Sequence, residues 1–528
     1  MSDANRSDPQ KVRYDAQPEI EVYAVYGAEP EVQAYAMAKY SRSALSMKES
    51  LREINSQKAE KFLNTFYFQY GHRSIADLAH IAMAVEKLSI LAAIALVDEQ
   101  RWDGQERSTR YQDFKRGGYF VPDFSGLEMC ELRYRDTIAM LMAEYEALSE
   151  QMWRHLAKRT PRPAEMKQEM YERTLRARAF DISRYLLPMA TNTSLGQIVN
   201  ARTLESQIAR LLSHTHPEVR RLGELLKRAA NEPAYDVNEV RYRELIEDAK
   251  AYDDMWAKQL REDILKQVRV APTLVKYAEA NPYRMETRRE LRQAAAEIMG
   301  NAAVAEVRPV ELLEDDPLEL ELATTLLYEY CHYPYRQIRE RAEALSAPRR
   351  QEIVELGVKH RGQHDELLRA FNAGQGFRFD ILMDIGGYRD MHRHRRCTQI
   401  GQEFTTQHGF DTPEEVRAAG AEEGYAEAMQ RAAVAVEGVA AEMRRDGRDD
   451  SEASTQYLIP LGFRKRTLFK MDLAEAVYIA ELRTGPGGHM SYRRVAYQMY
   501  EAVAKRHPSL AKLFRVHDVN EPVDLLQR

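Results

Sequence analysis

The sequence predicts a helix-rich α+β protein that consists of two related halves. Long segments carry apolar residues at helical spacing, most clearly 127–178 and 218–300. Two shorter segments, 19–26 and 377–385, alternate apolar or aromatic residues with polar ones, as half-buried strands do. Finally, a set of polar landmarks recurs in the same order in both halves of the chain, which indicates a tandem duplication.

Composition restricts the class of protein. The chain has 528 residues, of which 44% are hydrophobic and 30% charged, so each half can bury a core. The formal net charge of −6 argues against a general nucleic-acid binder, although a local basic pocket for a phosphorylated small molecule remains compatible with it. The N-terminus has no apolar signal region, and the longest apolar stretch, residues 88–97, is too short to span a membrane. These features predict a soluble, cytoplasmic protein.

The helical segments divide the chain into two domains. After a loose N-terminus at 1–18, the first domain is expected to cover 19–302 and the second 319–528. The segment between them, 303–318, contains two prolines and an acidic cluster, which is typical of a linker.

Three apolar segments with chemical landmarks are predicted to be helices. The first opens near Ser74 and Asp77 and continues through residue 97, the second covers 194–212, and the third covers 471–483.

The repeated landmarks keep their order along the chain. His72 corresponds to His364 at an offset of 292, and Asp98 to Arg393 at an offset of 295. Pro188 corresponds to Pro460, and Asn200 to Asp472, both at an offset of 272. The offset falls because the first half has a longer helical insertion between the second and third landmarks. Each match is weak by itself, and their common order makes the duplication credible.

The first candidate site is the run Arg393-His394-Arg395. Two guanidiniums beside an imidazole present several donors to a phosphate or to an anionic ring. An isolated basic run is most often a solvated loop. This run follows a strand-like segment and precedes Cys397 and Thr398, which favours a site.

The second candidate site is the loop 106–111. In extended backbone alternate side chains point the same way, so Glu106, Ser108 and Arg110 can converge on one ligand. Arg and Ser suit a phosphate, and Glu suits a sugar hydroxyl or a ring N–H. A polar loop whose charges pair with each other is an equally good interpretation of these residues.

A third candidate, Asn200 with Arg202, lies near the start of an apolar helix, where buried polar groups need partners. An internal hydrogen-bond network is the commoner partner and a ligand the alternative. His360 and His364 have helical metal-ligand spacing, but no third ligand is evident, so no metal site is predicted. The cysteines, Cys130, Cys331 and Cys397, form no zinc or disulfide pattern and no nucleophile context.

Together these segments resemble the flavin-dependent thymidylate synthases. That family carries an R-H-R run followed by E-x-S-x-R-Y, an upstream G-H element, and a downstream L-P followed by N-A-R. The first half of this chain has Gly71-His72, the set Glu106, Ser108, Arg110 and Tyr111, then Arg184 before Pro188, then Asn200-Ala201-Arg202. At the R-H-R position it has Asp98-Glu99-Gln100 instead.

The second half shows the complementary pattern. It has Arg393-His394-Arg395 intact, but Gly401, Glu403 and Thr405 stand at the E-x-S-x-R positions. Asp472-Leu473-Ala474 replaces N-A-R, while Leu482-Arg483 matches the family and the first half has Leu211 there. Each half therefore retains what the other has lost.

The resemblance implies two tandem domains, each a small antiparallel sheet with long helices, with the sites shared between copies. It implies FAD as cofactor and reductive methylation of dUMP to dTMP, with methylenetetrahydrofolate and NADPH as co-substrates. Because the family forms homotetramers with sites at subunit interfaces, a homodimer of this chain would make a pseudo-tetramer. No cysteine nucleophile is needed for this chemistry.

The resemblance also implies roles for individual residues. FAD would be bound by His72, Ser74, Asn200, Arg202, Arg393, His394 and Arg395. The nucleotide would be bound by Glu106, Ser108, Arg110, Arg184 and Arg483. Ser108, Arg393 and Arg483 are the residues expected to matter most for catalysis, with the arginines stabilising negative charge on the pyrimidine.

Two other functions remain open on the sequence. The substitutions at 98–100 and 472–474 also fit a non-catalytic flavin- or nucleotide-binding protein. A flavin-dependent one-carbon transferase acting on another pyrimidine nucleotide is the third possibility, because the retained Glu-x-Ser-x-Arg set does not fix the base.

Overall fold

The computed structural model describes residues 27–39, 51, 73–114, 118–265, 267–282, 284–286, 289, 309–312, 317–328, 335–359, 371 and 376–526. The loose N-terminus at 1–18, the strand predicted at 19–26, and His72, His360 and His364 lie outside these residues. Ser74 falls in a 3₁₀ turn, Arg73–Leu78, but its side chain is outside the description.

The first half contains a three-stranded antiparallel sheet. Its strands are β1 (His80–Ser89), β2 (Asp103–Glu106) and β3 (Asn192–Asn200), in the order β1-β3-β2. The helices of this half are α1 (Pro30–Lys39), α2 (Ile90–Val97), α3 (Glu128–Arg159), α4 (Gln168–Ser183), α5 (Ala201–Leu212), α6 (Pro217–Asn231), α7 (Glu239–Lys250) and α8 (Asp254–Ile264).

The second half repeats this arrangement with one added edge strand. Its strands are β4 (Val310–Leu312), β5 (Phe377–Asp384), β6 (Thr398–Gly401) and β7 (Arg464–Met471). They form an antiparallel sheet in the order β4-β5-β7-β6. Its helices are α9 (Leu318–Tyr328), α10 (Tyr335–Glu343), α11 (Ala347–Leu356), α12 (Ile385–Met391), α13 (Glu414–Ala418), α14 (Glu422–Arg445), α15 (Ser451–Thr455), α16 (Leu473–Thr484) and α17 (Met490–Arg506). The predicted α+β class with tandem domains is confirmed.

The helix caps show the duplication residue by residue. Ser89 caps α2 and Asp384 caps α12, each accepting a hydrogen bond from the amide three residues on. Asn200 caps α5 and Asp472 caps α16 with the same geometry, at 2.8 Å from the amide nitrogen. A short polar side chain at these positions satisfies an amide that the helix itself leaves unpaired. The landmark pair Asn200 and Asp472 therefore serves one structural role in both halves.

The two halves meet through equivalent segments. Pro188 and Pro460 form an antiparallel bridge, flanked by hydrogen bonds from Met189 N to Ile459 O (3.1 Å) and from Leu461 N to Leu187 O (3.0 Å). Proline has no N–H, so its neighbours make these bonds. The hydrophobic core runs continuously across this junction and includes buried residues from both halves. This packing joins the two sheets into one body.

The predicted helices at residues 74–97 and 194–212 are wrong in their first parts, whereas the helix predicted at 471–483 is confirmed as Leu473–Thr484. The first segment contains β1, and its helix begins only at Ile90. The second contains most of β3, and its helix begins only at Ala201. The third includes only the last residue of β7 before its helix begins at Leu473. In β3, burial alternates residue by residue, so one face packs on the core while the other faces solvent. Helical periodicity and strand alternation overlap in short apolar runs, and the neighbouring strands decide between them.

The described residues of the segment 303–318, which are 309–312 and 317–318, take part in the second domain. Val310–Leu312 pairs with β5, and Pro309 O accepts a hydrogen bond from Leu382 N at 2.8 Å. Leu318 already begins α9. Among the described residues, no helix combines the length and the apolar character needed to cross a membrane.

Candidate active site

The loop after β2 carries the E-x-S-x-R residues to the junction between the halves. Ser108 Oγ accepts a hydrogen bond from Arg110 N at 3.2 Å, which turns the backbone back on itself. Arg107, by contrast, is held outside by Gln112 and by Asp113 O. Glu106 and Arg110 are thereby left on the side that faces the second half.

Arg110 spans the two halves. Its Nε donates to Asp181 Oδ1 at 3.0 Å within the first half. Its other nitrogens donate to the Tyr492 hydroxyl (2.9 Å) and to Gly487 O (3.0 Å) in the second half. The pKa of Arg110 is raised above its ordinary value because the nearby carboxylates, led by Asp181, outweigh the opposing effect of burial.

Arg184 is the most deeply buried of the candidate residues, with 2% of its surface exposed. It lies 3.4 Å from Asp181 Oδ1 and 3.6 Å from Asp390 Oδ2, so one carboxylate comes from each half. Its Nε and Nη2 atoms make no hydrogen bond to any described residue. Arg184 is thus held by the charges of the two carboxylates, and two of its nitrogen atoms are still able to donate hydrogen bonds.

Asp390 is the carboxylate on which four of the candidate arginines act electrostatically. Burial raises the pKa of this carboxyl, but the guanidiniums of Arg184, Arg110, Arg393 and Arg483 outweigh burial and lower it. Asp181 behaves in the same way. Burial opposes its ionisation, and the nearby His489, Arg184 and Arg110 nonetheless lower its pKa to about 2. Both carboxylates are therefore ionised at neutral pH.

The R-H-R run forms the loop after α12, and its three side chains have different surroundings. The Arg393 side chain is exposed and makes no hydrogen bond to a described residue. His394 is buried, accepts a hydrogen bond from Arg483 Nε at 2.7 Å, and has Glu475 at 3.6 Å on its other nitrogen. Burial lowers the pKa of His394, so its imidazole is neutral and orients the Arg483 guanidinium.

Arg395 lies over the indole ring of Trp102, with 4.4 Å between the guanidinium carbon and the ring centroid. Trp102 is itself fixed by a hydrogen bond from its Nε1 to Gln197 at 2.8 Å. Stacking of Arg on an aromatic ring orients the guanidinium and holds it rigid. The third residue of the R-H-R run therefore rests on the first half.

Arg389 makes a second connection between the halves. Its guanidinium donates to Glu106 Oε1 at 2.5 Å and to Thr109 Oγ1 at 3.2 Å. Glu106 and Arg389 are both largely buried. This ion pair positions the E-x-S-x-R loop against the R-H-R loop.

A cleft opens between these two loops. Three nitrogen atoms in its walls are buried without a hydrogen bond to a described residue: Arg389 Nε, His392 Nε2 and Arg395 Nε. Its full lining is Ile94, Val97, Trp102, Gly104, Gln105, Glu106, Arg389, His392, Arg393 and Arg395. Unpaired buried donors and acceptors at a cleft indicate a ligand site, because each such group is costly to leave unsatisfied.

Sequence reasoning missed several residues of this site. Asp181 and Asp390 neutralise its arginines, Tyr492 bridges its halves, and Arg389 and His392 line the cleft. A signal was present for two of them. Arg389 and His392 lie three residues apart on α12 and its C-terminal end, so they face the same side as Arg393.

The candidates Asn200 and Arg202 are not in contact with the R-H-R loop. Asn200 caps α5 through Thr203 N, and Arg202 pairs with Asp77 at 3.1 Å. Within the described part of the chain, neither makes a hydrogen bond to Arg393, His394 or Arg395. Arg202 is exposed, so any ligand that it binds would lie on the surface of the first half.

At the equivalent position in the first half, an ion pair replaces the R-H-R arrangement. Glu99 corresponds to His394, and Arg210 is next to Leu211, the counterpart of Arg483. Arg210 Nε donates to Glu99 at 2.8 Å, and another nitrogen donates to Ala95 O at 2.8 Å. The first half thus fills its own pseudo-site with side chains.

The buried thiol next to the R-H-R loop is unreactive. Cys397 Sγ donates to His394 O at 3.0 Å, and burial raises its pKa to about 12. A thiol with so high a pKa carries almost no thiolate at neutral pH.

Comparison with known proteins identifies the family. The family model described as "Thymidylate synthase complementing protein" matches residues 13–234 and 333–509. The two matches cover well over half of the chain, and the protein therefore belongs to this family, as two copies in tandem.

Several curated proteins match the chain over nearly its full length. It is 27% identical to a UPF0159 protein of Chlamydia pneumoniae over 96% of this chain and 93% of the relative. A UPF0159 protein of Chlamydia muridarum is also 27% identical, over 92% of this chain and 89% of that protein. A UPF0159 protein of Thermoplasma acidophilum is 24% identical over 92% and 95%, respectively.

Proposed function

We propose that this protein is a flavin-dependent thymidylate synthase with one composite site per chain. It would methylate dUMP to dTMP with methylenetetrahydrofolate and NADPH. The observation that carries the proposal is the electrostatic effect on Asp390 that Arg110 and Arg184 from the first half share with Arg393 and Arg483 from the second. Membership of the thymidylate synthase complementing protein family supports the same activity.

The charges of this cluster suit a nucleoside monophosphate. Four guanidiniums act electrostatically on Asp390, and they outnumber the two carboxylates, Asp181 and Asp390, that neutralise them. A phosphate monoester carries close to two negative charges at neutral pH. Arg110 and Arg184 are held rigid by the carboxylates, while Arg393 is exposed and available to the phosphate. Guanidinium forks bind such oxyanions bidentately.

We place the flavin in the cleft beside the cluster. Trp102 and the apolar side chains of Ile94 and Val97 give it flat, apolar walls, and the unpaired Nε atoms of Arg389 and Arg395 offer donors to ring carbonyls or phosphates. When bound, the flavin supplies the reducing power of the reaction. The chain's own contribution is orientation: Arg395 is stacked on Trp102.

Arg483 is the group placed to stabilise charge on the pyrimidine. Its Nε is fixed by neutral His394, and its guanidinium carbon lies 5.5 Å from the centroid of the Tyr492 ring. A preorganised guanidinium of this kind stabilises negative charge that develops in the transition state without reorienting. We also propose that two chains associate, so that four family domains assemble, which sedimentation of the purified protein tests.

The test is direct. The purified protein should show flavin absorbance, oxidise NADPH faster when dUMP is present, and release tritium from dUMP labelled at C5. R393A and S108A should each abolish tritium release, whereas R396A should retain it, because Arg396 is an exposed neighbour paired with Asp472. A colourless protein that cannot be reconstituted with FAD would exclude the proposal.

A second function has one observation in its favour. Arg110 and Arg184 already have carboxylate partners, so they are less available to a phosphate than free arginines would be. This favours a flavin-binding protein that does not act on a nucleotide. Flavin binding together with no tritium release from dUMP would support this alternative.

A further inference from the structure

His392 lies in the wall of the cleft, directly before the R-H-R run. Its side chain is 7% exposed and its ring stacks on Tyr388, with 5.1 Å between the centroids. Its Nδ1 lies 3.1 Å from the Tyr388 hydroxyl and 3.0 Å from Gln399 Oε1. The imidazole is therefore held in one orientation by its own half.

The neighbours of His392 also select its tautomer. Gln399 Nε2 donates to His394 O at 2.8 Å, which leaves Gln399 Oε1 as the acceptor that faces His392. Nδ1 of His392 must then carry the proton, because an acceptor needs a donor opposite it. In the neutral imidazole the lone pair lies on Nε2. Nε2 is thus an acceptor.

This acceptor has no hydrogen bond within the described part of the chain. His392 Nε2 is buried, and Asp98 Oδ1, at 3.7 Å, is the nearby charged group on the first half. Asp98 stands where the second half has Arg393, so the residue that replaced the lost arginine has come to face the retained site. A buried acceptor without a partner is costly to the folded protein, and a ligand donor would recover that cost.

The three unpaired nitrogens form a pattern. Arg389 Nε and Arg395 Nε are donors, and His392 Nε2, in the same cleft, is an acceptor. A ring that carries two carbonyls and one N–H offers the matching groups, two acceptors and one donor. That group is the imide of a pyrimidinedione, which uracil and the flavin ring share.

We propose that His392 Nε2 accepts a hydrogen bond from the imide N–H of a pyrimidinedione ring bound in the cleft, with the Asp98 carboxylate of the first half as a second acceptor beside it. The inference rests on the proposed function, since it assigns a recognition residue within that site. It explains why the first half has an acidic residue at a position where the second half has arginine.

Imide recognition can be tested first on the wild-type protein, without mutation. Binding of FAD is compared with that of FAD methylated on its imide nitrogen, and binding of dUMP to the FAD-loaded protein with that of dCMP, which has no imide. For the ring that occupies this position, loss of the N–H should weaken binding about tenfold or more. Equal binding within both pairs would overturn the proposal.

Variants then assign the effect to His392. H392F should weaken binding of the imide ligand about tenfold and leave binding of its methylated or cytosine analogue unchanged. H392Q, which restores a side-chain acceptor, should recover part of the affinity. Equal losses for imide and non-imide ligands in H392F would indicate a merely structural role and refute the assignment.

The D98N variant measures the contribution of the Asp98 carboxylate separately from that of His392. It should weaken the imide ligand less than H392F does, and in the same ligand-selective way. If wild-type protein binds neither FAD nor dUMP, the proposed function itself fails; if it binds them without imide discrimination, this inference alone fails.

Discussion

Arg110 of the first half donates a hydrogen bond of 2.9 Å to the hydroxyl of Tyr492 in the second half. Arg483 approaches the same ring, with 5.5 Å between its guanidinium carbon and the ring centroid. Tyr492 is 3% exposed. One buried tyrosine thus connects an arginine of the E-x-S-x-R loop with the arginine that contacts the R-H-R loop.

Y492F tests this connection. The variant keeps the ring but removes the acceptor for Arg110, so we expect the free energy of unfolding to fall by about 1–2 kcal/mol. Urea unfolding measures the change. Y497F, on the same helix, is the control, because the Tyr497 hydroxyl makes no hydrogen bond to a described residue. Equal effects of the two variants would contradict the role of the Tyr492 hydroxyl.

The pairing of motifs within one chain predicts how mutants behave in mixtures. Arg110 and Arg393 both act on Asp390 of the same chain. Co-expressed chains carrying R110A and R393A should therefore fail to restore dTMP formation, since no chain has an intact cluster. Each variant mixed with wild type serves as the control. Recovery of a substantial part of wild-type activity from the two mutants together would show that sites form between chains.

The first-half pseudo-site should contribute to stability and not to activity. E99Q removes the negative charge that faces Arg210, in a pair whose side chains are about 15% exposed. Because burial already raises the pKa of Glu99 and disfavours its charge, the free energy of unfolding should fall by only about 1–2 kcal/mol. R202A removes a more exposed pair with Asp77 and should change it by less than about 1 kcal/mol. Chemical unfolding and FAD titration measure both. If E99Q were to change the number of FAD molecules bound per chain, the pseudo-site would be functional.

Asp384 makes stability depend on pH. Burial, with a smaller contribution from Asp411, raises the pKa of Asp384 from 3.8 to about 6. The folded state therefore favours the protonated carboxyl. Its contribution is fully present below about pH 3.8 and is lost as the pH rises through about 6.

D384N isolates this effect, because asparagine can still cap α12 but does not ionise. Relative to D384N, the wild-type protein should lose stability between about pH 4 and pH 6, on the order of 3 kcal/mol in total. Unfolding free energies of both proteins across this range give the difference. A difference that does not change with pH would contradict the raised pKa.

The sequence was most informative about the correspondence between the two halves, because that correspondence depends on the order of residues along the chain. The correspondence of Asn200 with Asp472 and of Pro188 with Pro460 could be predicted, and the structure places these pairs at equivalent caps and at one bridge. The boundaries between strands and helices were harder to predict from the sequence. The sequence predicts a helix over β3 because Leu195, Ile198 and Val199 have helical spacing, and only the partner strands show that the backbone there is extended.

The candidate site could be predicted only in part for a similar reason. Arg110, Arg184, Arg393 and Arg483 stand in motifs, and the prediction that they belong to one site is consistent with their shared effect on Asp390. Asp390 and Tyr492 belong to none of these motifs. Their importance comes from contacts between residues far apart in the chain, such as the 382 positions that separate Arg110 from Tyr492.

The sequence by itself determined that this chain is a duplication, that it belongs with the family whose motifs it carries, and that each half lacks what the other retains. Those properties reside in residue order, which folding does not alter. The tertiary structure decided which arginines are neutralised, by Asp181 and Asp390, and which nitrogen of His392 lacks a partner. Charge pairing and hydrogen-bond satisfaction depend on distances of a few ångströms between distant segments, and only the folded chain sets those distances.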